Sequence, residues 1–264
     1  MLVDSHCHLN YPEFADLEGV LARAREAGVV AMQTISTKRS DFNAVIGIAE
    51  SHTEVYASIG IHPHEAKTHQ DATVEELLSL ASHPKVIGIG ETGLDFYYEH
   101  SPRAEQEALF RTHIEVSRQS GLPLIVHSRD ADEQTVAILH EEYKKEPFTG
   151  LIHCFSTSKY LADKAIEIGF YISLSGILTF PKAQELRDTV KTLPLEKLLV
   201  ETDAPYLAPT PYRGKPNEPS YTKFTALCLA DLMGVSYDEI CRITTGNFYS
   251  LFRRAQLPRG EGCA

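Results

Sequence analysis

Eight short apolar runs alternate with longer stretches of helical period along most of the chain, and this alternation limits the folds open to it. The runs are 2–6, 29–35, 55–61, 86–91, 124–127, 150–153, 170–174 and 198–202. Most are continuously apolar, as strands buried on both faces of a parallel sheet must be. Between them apolar residues recur at i, i+3, i+4 over 17–27, 73–81, 103–119 and 131–142, the spacing of one helix face. Gly28, Gly121 and Gly169 stand just before three of the runs, where helices commonly end on a left-handed residue. Eight such units predict an α/β fold, a TIM (β/α)8 barrel forming a single domain over 1–264. A doubly wound open sheet competes, but no glycine-rich phosphate loop follows the first run. Beyond the eighth run, 204–219 reads as a proline-rich, braced loop, and 221–233 and 237–252 read as closing helices.

Residues able to bind metal gather at the downstream ends of the runs. The first run ends in His6-Cys7-His8, the fourth in Glu91, the fifth in His127, the sixth in His153 and the eighth in Glu201-Thr202-Asp203. Residues i and i+2 of a strand point the same way, so His6 and His8 can reach one ion. In a barrel the C-terminal strand ends converge on one mouth. That convergence brings His6, His8, Glu91, His127, His153 and Asp203 together. Four imidazoles and two carboxylates suit magnesium, manganese, iron or zinc. Six donors exceed what one tetrahedral ion takes, so two divalent metal ions are expected. Glu91 has two oxygens and is the expected bridge. His6, His8 and Asp203 would share it on one ion, His127 and His153 on the other. Asp203 is then the expected general base toward a water acidified by both ions.

The formal net charge of −11 argues against wrapping duplex nucleic acid, which calls for a basic surface. No run approaches the roughly 18 apolar residues of a membrane span, and no basic, then apolar leader opens the chain. A cytoplasmic protein with no membrane contact and no obligate protein partner is the expectation. Cys7, Cys154, Cys228, Cys241 and Cys263 form no CxxC pair and read as reduced thiols. Cys7 and Cys154 each neighbour a candidate ligand and are expected to face the barrel wall.

The stretches VDSHCHL, GIHPH, GIGETGLDFYY, PLIVHSRDA, GLIHCF, FYISLSGILTF, LLVETDAPYLAP and TTGNFYSLF occur in this order over nearly the full length. They resemble the TatD-like metal-dependent hydrolases of the amidohydrolase-like barrel superfamily, and within them the bacterial YcfH-type branch. The resemblance implies a TIM barrel with His6, His8, Glu91, His127, His153 and Asp203 as ligands of divalent metal. It also implies phosphodiester hydrolysis, as a deoxyribonuclease of 3′–5′ exonuclease type on single-stranded DNA ends or on a small phosphoester. Related hydrolases with a carboxylated lysine bridge need lysine at the fourth strand end, where Glu91 stands. The alternative is an amide or ester hydrolase (a deaminase, lactonase or aminoacyl-tRNA deacylase) on the same binuclear site. The family's usual serine after the eighth-strand aspartate is Ala204 here.

His62, Arg129, Tyr206 and Arg213 are the expected substrate contacts. His62 and His64 flank Pro63 at the mouth, and Arg129 can pair with a phosphate bidentately or with Asp95 or Asp130. Tyr206, Tyr212, Arg213 and Lys215 in the final loop, with Phe96, Tyr97 and Tyr98, could stack bases and hold phosphates of a single strand. Glu201 is expected to support a ligand. His52, His69, His83, His100, His113 and His140 are expected on helices or far-face loops.

Overall fold

The computed structural model describes residues 1–257, so Cys263 lies outside the described residues. The expected runs form β1 (Leu2–Cys7), β2 (Val29–Ile35), β3 (Val55–Ile59), β4 (Val86–Asp95), β5 (Leu124–Arg129), β6 (Gly150–Ile152), β7 (Tyr171–Leu174) and β8 (Leu198–Val200). They pair in chain order, every neighbour parallel. The connections carry α1 (Leu17–Glu26), α2 (Phe42–Ser51), α3 (Val74–Ala81), α4 (Arg103–Ser120), α5 (Asp132–Lys145), α6 (Lys159–Glu167) and α7 (Gln184–Val190). Side chains cap several of them: Thr73 accepts from the Glu76 N–H ahead of α3, and Ser158 from the Leu161 N–H ahead of α6. Such caps satisfy amides that the helix leaves unpaired. Gly121 ends α4 at φ 68°, a conformation that costs glycine nothing.

The ring closes between β8 and β1. Asp203 N–H donates to His6 O at 2.9 Å and His8 N–H to Ala204 O at 2.8 Å, and Cys7 pairs in parallel with Ala204. Beneath this seam the buried Asp4 carboxylate accepts from Thr202 N–H at 2.9 Å and Thr202 Oγ1 at 2.6 Å. The two ends of the sheet are therefore joined by side chain as well as backbone.

An apolar layer lies between strands and helices, and a second cluster floors the barrel. There α9 (Tyr237–Leu251) delivers Phe248, Leu251 and the following Phe252 against Val3, Ile87, Ile125, Leu151 and Leu199. Phe248 and Phe252 are fully buried, each stabilising the fold by roughly 2 kcal/mol. α8 (Thr222–Met233) packs beside α9. Among the described residues no helix is long and apolar enough to cross a membrane.

Several strand ends differ from the expected bounds. β4 continues past Glu91 to Asp95, still paired with β5 from Thr92–Val126 to Asp95–Arg129. β3, β6 and β8 end one or two residues short of the expected bounds. The first amides beyond them bond Ser36 Oγ (from Gly60), Val126 O (from His153) and Leu174 O (from Glu201), and side chains take the amides after these. Ile61 N–H bonds His113 Nε2, Cys154 N–H bonds Glu201 Oε1, and Thr202 N–H bonds Asp4 Oδ1. β3 and β4 also touch backbone to backbone, since a Cβ on Gly60 would lie 2.3 Å from Gly90 Cα. The non-glycine residues with positive φ among those described, Glu99, Asp130, Cys154, Asp203 and Leu207, all follow strand C-termini. Strained backbone of this kind concentrates at functional sites.

Candidate metal centre

Glu91 stands between two groups of side chains. Its Oε2 is 3.4 Å from His6 Nε2. Its Oε1 is 2.8 Å from His153 Nε2, 3.0 Å from His127 Nδ1 and 3.4 Å from His62 Nε2. On the His6 side, Asp203 Oδ1 is 3.3 Å from His8 Nε2 and 3.7 Å from His6 Nε2. Donor atoms of His6, His8 and Asp203 all lie within 4.8 Å of one another, as do those of His62, Glu91 and His127, and those of His6, His153 and Glu201.

The second ring nitrogen of each histidine separates their roles. A neutral imidazole carries one proton, and the partner of one nitrogen decides the state of the other. His8 Nδ1 meets Ile35 O at 3.2 Å, His153 Nδ1 meets Glu201 Oε1 at 3.3 Å, and His127 Nε2 meets Asp95 Oδ2 at 3.2 Å. Each partner is an acceptor, so each histidine in its neutral form holds its proton outward and turns a bare nitrogen inward. Such outer acceptors orient imidazoles that ligate metal. His62 is reversed. Its Nδ1 accepts the His64 N–H at 3.1 Å, which leaves the proton on Nε2, facing Glu91. In this state His62 donates to the Glu91 carboxylate and has no lone pair to offer there.

Charges follow this arrangement. Burial would raise the Glu91 carboxyl, but His153, His62 and His127 hold it well below its ordinary range. Burial pushes His62 down to about 4, consistent with a neutral donor. Burial would also lower His153, but Glu91 and Glu201 carry it well above its ordinary value. Burial lowers His6, aided by His153. Both His6 ring nitrogens and Glu201 Oε2 are buried without a hydrogen-bond partner. Buried polar atoms usually find one, so these orphaned donors fit a centre built for cations.

Two supporting residues escaped sequence reasoning as parts of the site. Asp95 Oδ2 meets His127 Nε2 and also His64 Nε2, the latter at 2.8 Å. Its position four residues after Glu91 in one strand was the available signal, because even offsets share a face. His113 is fully buried on α4 and holds Ile61 N–H at 3.0 Å, directly before His62. Glu201 supports His153 from behind, as expected, and also accepts from Cys154 N–H at 2.9 Å.

Of the expected substrate contacts, His62, Arg129 and Tyr206 line a cleft of about 580 Å³ over the centre. Arg213 does not line it; its guanidinium lies over Phe180 at 3.7 Å. Tyr212 is likewise committed to packing, stacked on Tyr221 at 4.2 Å. Arg129 pairs with neither Asp95 nor Asp130 among the described residues. Cys7 is buried, but Cys154 lines the cleft instead of facing the wall. It lies beyond the end of β6 at φ 45°, where strand alternation no longer applies. His100 also departs from expectation: it sits 4.6 Å from the His64 ring, near the mouth.

A closed parallel barrel whose mouth gathers these imidazoles and carboxylates around one glutamate is the framework of a metal-dependent hydrolase. The family model described as TatD related DNase matches residues 3–253. The chain is 41% identical over 255 residues to YcfH of Escherichia coli strain K12, covering 95% of each protein. It is 39% identical over 254 residues to YabD of Bacillus subtilis strain 168, covering 96% of this chain and 99% of that one. Both relatives are named as uncharacterized metal-dependent hydrolases. The crystal structure of YjjV, a TatD homologue from Escherichia coli K12, matches with a TM-score of 0.90 at 31% identity, over 97% of this chain and 98% of that one. The chain belongs to the TatD family of metal-dependent hydrolases.

Proposed function

We propose that this hydrolase cleaves phosphodiester bonds at single-stranded DNA ends. It would hold two divalent cations, magnesium, manganese or zinc. His6, His8, Asp203 and Glu91 would hold one, and Glu91, His127 and His153 the other. The observation that carries the two-ion reading is the Glu91 carboxylate, whose oxygens face opposite groups at 3.4 Å and 2.8 Å. The family's description as a DNase supports DNA as the substrate.

When bound, the cations supply a water acidified toward neutrality and positive charge for the phosphoryl oxygens. Asp203 is held by His8 and remains partly open to the cleft, so its carboxylate is suited to take the proton of the attacking water. Burial opposes its ionisation, but His8 and His6 keep it below its ordinary range, ready as a base at neutral pH. His62 keeps Glu91 ionised and oriented by donating from Nε2. Glu201 and Asp95 hold His153 and His127 in the tautomers that leave inward nitrogens bare.

The test sets a metal-reconstituted sample against an end-labelled single strand and against amide and carboxylic ester substrates. Metal-dependent nucleotide release, lost in Asp203→Ala, supports the reading. A higher kcat/KM on amide or ester bonds, with no nucleotide released, overturns it in favour of an amide or ester hydrolase.

A further inference from the structure

The cleft has two planar side chains that the metal chemistry leaves unused, and they flank Glu91 from opposite sides. On the His127 side, Tyr98 and His100 stack at 5.4 Å with 5° between their planes. The Arg129 guanidinium lies 4.7 Å from the Tyr98 centroid and 4.4 Å from that of Tyr97. It makes no side-chain hydrogen bond or ion pair among the described residues, so the rings hold it. Asp95 fixes this stack relative to the centre. Its Oδ1 accepts the Tyr97 and Tyr98 N–H groups at 3.1 and 2.9 Å, while its Oδ2 meets His127 at 3.2 Å.

On the His8 side, Tyr11 stacks on His8 at 4.9 Å, and Tyr206 stands edge-on to Tyr11 at 6.1 Å. Tyr206 is 52% exposed although it lines the cleft. Its loop is fixed by Asn217 Nδ2, which donates to Tyr206 O at 2.6 Å. Arg129 is the only lysine or arginine among the residues lining the cleft, against the carboxylates of Glu65, Glu91 and Asp203. A long polyanion track would call for more cations. What the walls present is planes, and bases stack on tyrosine rings and on guanidinium groups alike.

We infer that Arg129 and Tyr206 are base-stacking planes, one on each side of the cleaved bond, and that these two residues select unpaired flanking bases. This rests on the phosphodiester reading and names the residues that would hold its bases. A duplex end keeps its bases paired and stacked, and seating two of them requires opening the end at a cost of a few kcal/mol.

The experiment compares two labelled single strands, one with natural bases and one with abasic tetrahydrofuran units at the two positions flanking the cleaved bond. Wild type, Arg129→Lys, Tyr206→Ala and Tyr206→Phe are measured by cleavage kinetics with metal, and by fluorescence anisotropy in EDTA. Arg129→Lys and Tyr206→Ala are expected to raise KM for the natural strand on the order of tenfold, from the worth of one stacked base. Their kcat stays within about twofold, KM for the abasic strand is unchanged, and Tyr206→Phe behaves as wild type. Equal losses on both strands, or equal wild-type affinity for them, overturn the stacking planes and leave phosphodiester cleavage intact. Wild type that prefers the natural strand in the binding assay but cuts neither overturns the phosphodiester reading and leaves the planes. Wild type that binds neither strand in EDTA and cuts neither with metal overturns both.

Discussion

His113 offers a test of how the fold supports the mouth, worked from a single buried group. Its Nδ1–H donates to Leu109 O at 2.8 Å and its Nε2 accepts from Ile61 N–H at 3.0 Å. Both bonds require the neutral ring, and burial lowers its pKa from 6.5 to about 4. Between those values the unfolded chain binds the proton and the folded chain does not, so stability rises with pH across that window. The contribution is complete above pH 6.5 and is lost as pH falls toward 4. At 1.36 kcal/mol per unit, about 2 kcal/mol disappears between pH 7 and pH 5, and about 3 kcal/mol by pH 4. The assay is urea unfolding of EDTA-treated wild type and His113→Gln at pH 7 and pH 5. Glutamine can accept from Ile61 but does not titrate, so subtraction removes the other histidines. Wild type is expected to lose about 2 kcal/mol more than the variant over that interval. If the two lose the same stability to within about 0.5 kcal/mol, His113 is not a buried neutral group and the reasoning fails.

Three further outcomes test the centre. Glu91→Gln is expected to reduce calorimetric manganese binding from two ions to one and to weaken that one by more than the roughly 10–100-fold typical of outer partners; two ions at wild-type affinity would remove Glu91 as the bridge. Asp95→Asn weakens the acceptor on His127 and is expected to lower metal affinity roughly 10–100-fold while the melting temperature of the metal-free protein changes little; unchanged affinity would assign Asp95 to the aromatic loop alone. In Gly60→Ala the new Cβ meets Gly90 Cα at 2.3 Å and its carbonyl carbon at 2.4 Å, backbone that cannot rotate away. A loss of at least roughly 1–3 kcal/mol, read as a fall of roughly 3–10 °C in Tm, is expected, and a variant as stable as wild type would contradict that close approach.

Much of the centre was legible because its residues sit where apolar runs end. His6, Glu91 and His127 lie within, and His153 and Asp203 just beyond, strands recognisable from their own composition. Asp95 was legible in principle, since it shares a face with Glu91, but its use depends on β4 staying paired to β5 for four residues past the expected end. Arg213 could not be judged from sequence. Its loop reaches the mouth region, yet the side chain lies on Phe180 and not in the cleft. Cys154 faces the cleft because alternation holds only while a residue remains in a ladder, and β6 ends at Ile152. His62 looks like its neighbours in sequence, and only the amide of His64 on its Nδ1 distinguishes it.

The chain's local period, its helix-ending glycines and the residue types at its strand ends are properties of short segments. They are enough to predict a barrel with metal donors at one mouth, because strand and helix periods are set by backbone geometry over a few residues. Ring closure is different. His6 meets Asp203 only because the β8–β1 seam joins residues nearly two hundred positions apart, stapled by Asp4 and Thr202. Which imidazole nitrogen is bare, and which plane faces the cleft, depends on partners such as Glu201 for His153 and Tyr98 for Arg129. Those partners come from other strands and loops, so the tertiary structure alone decided them.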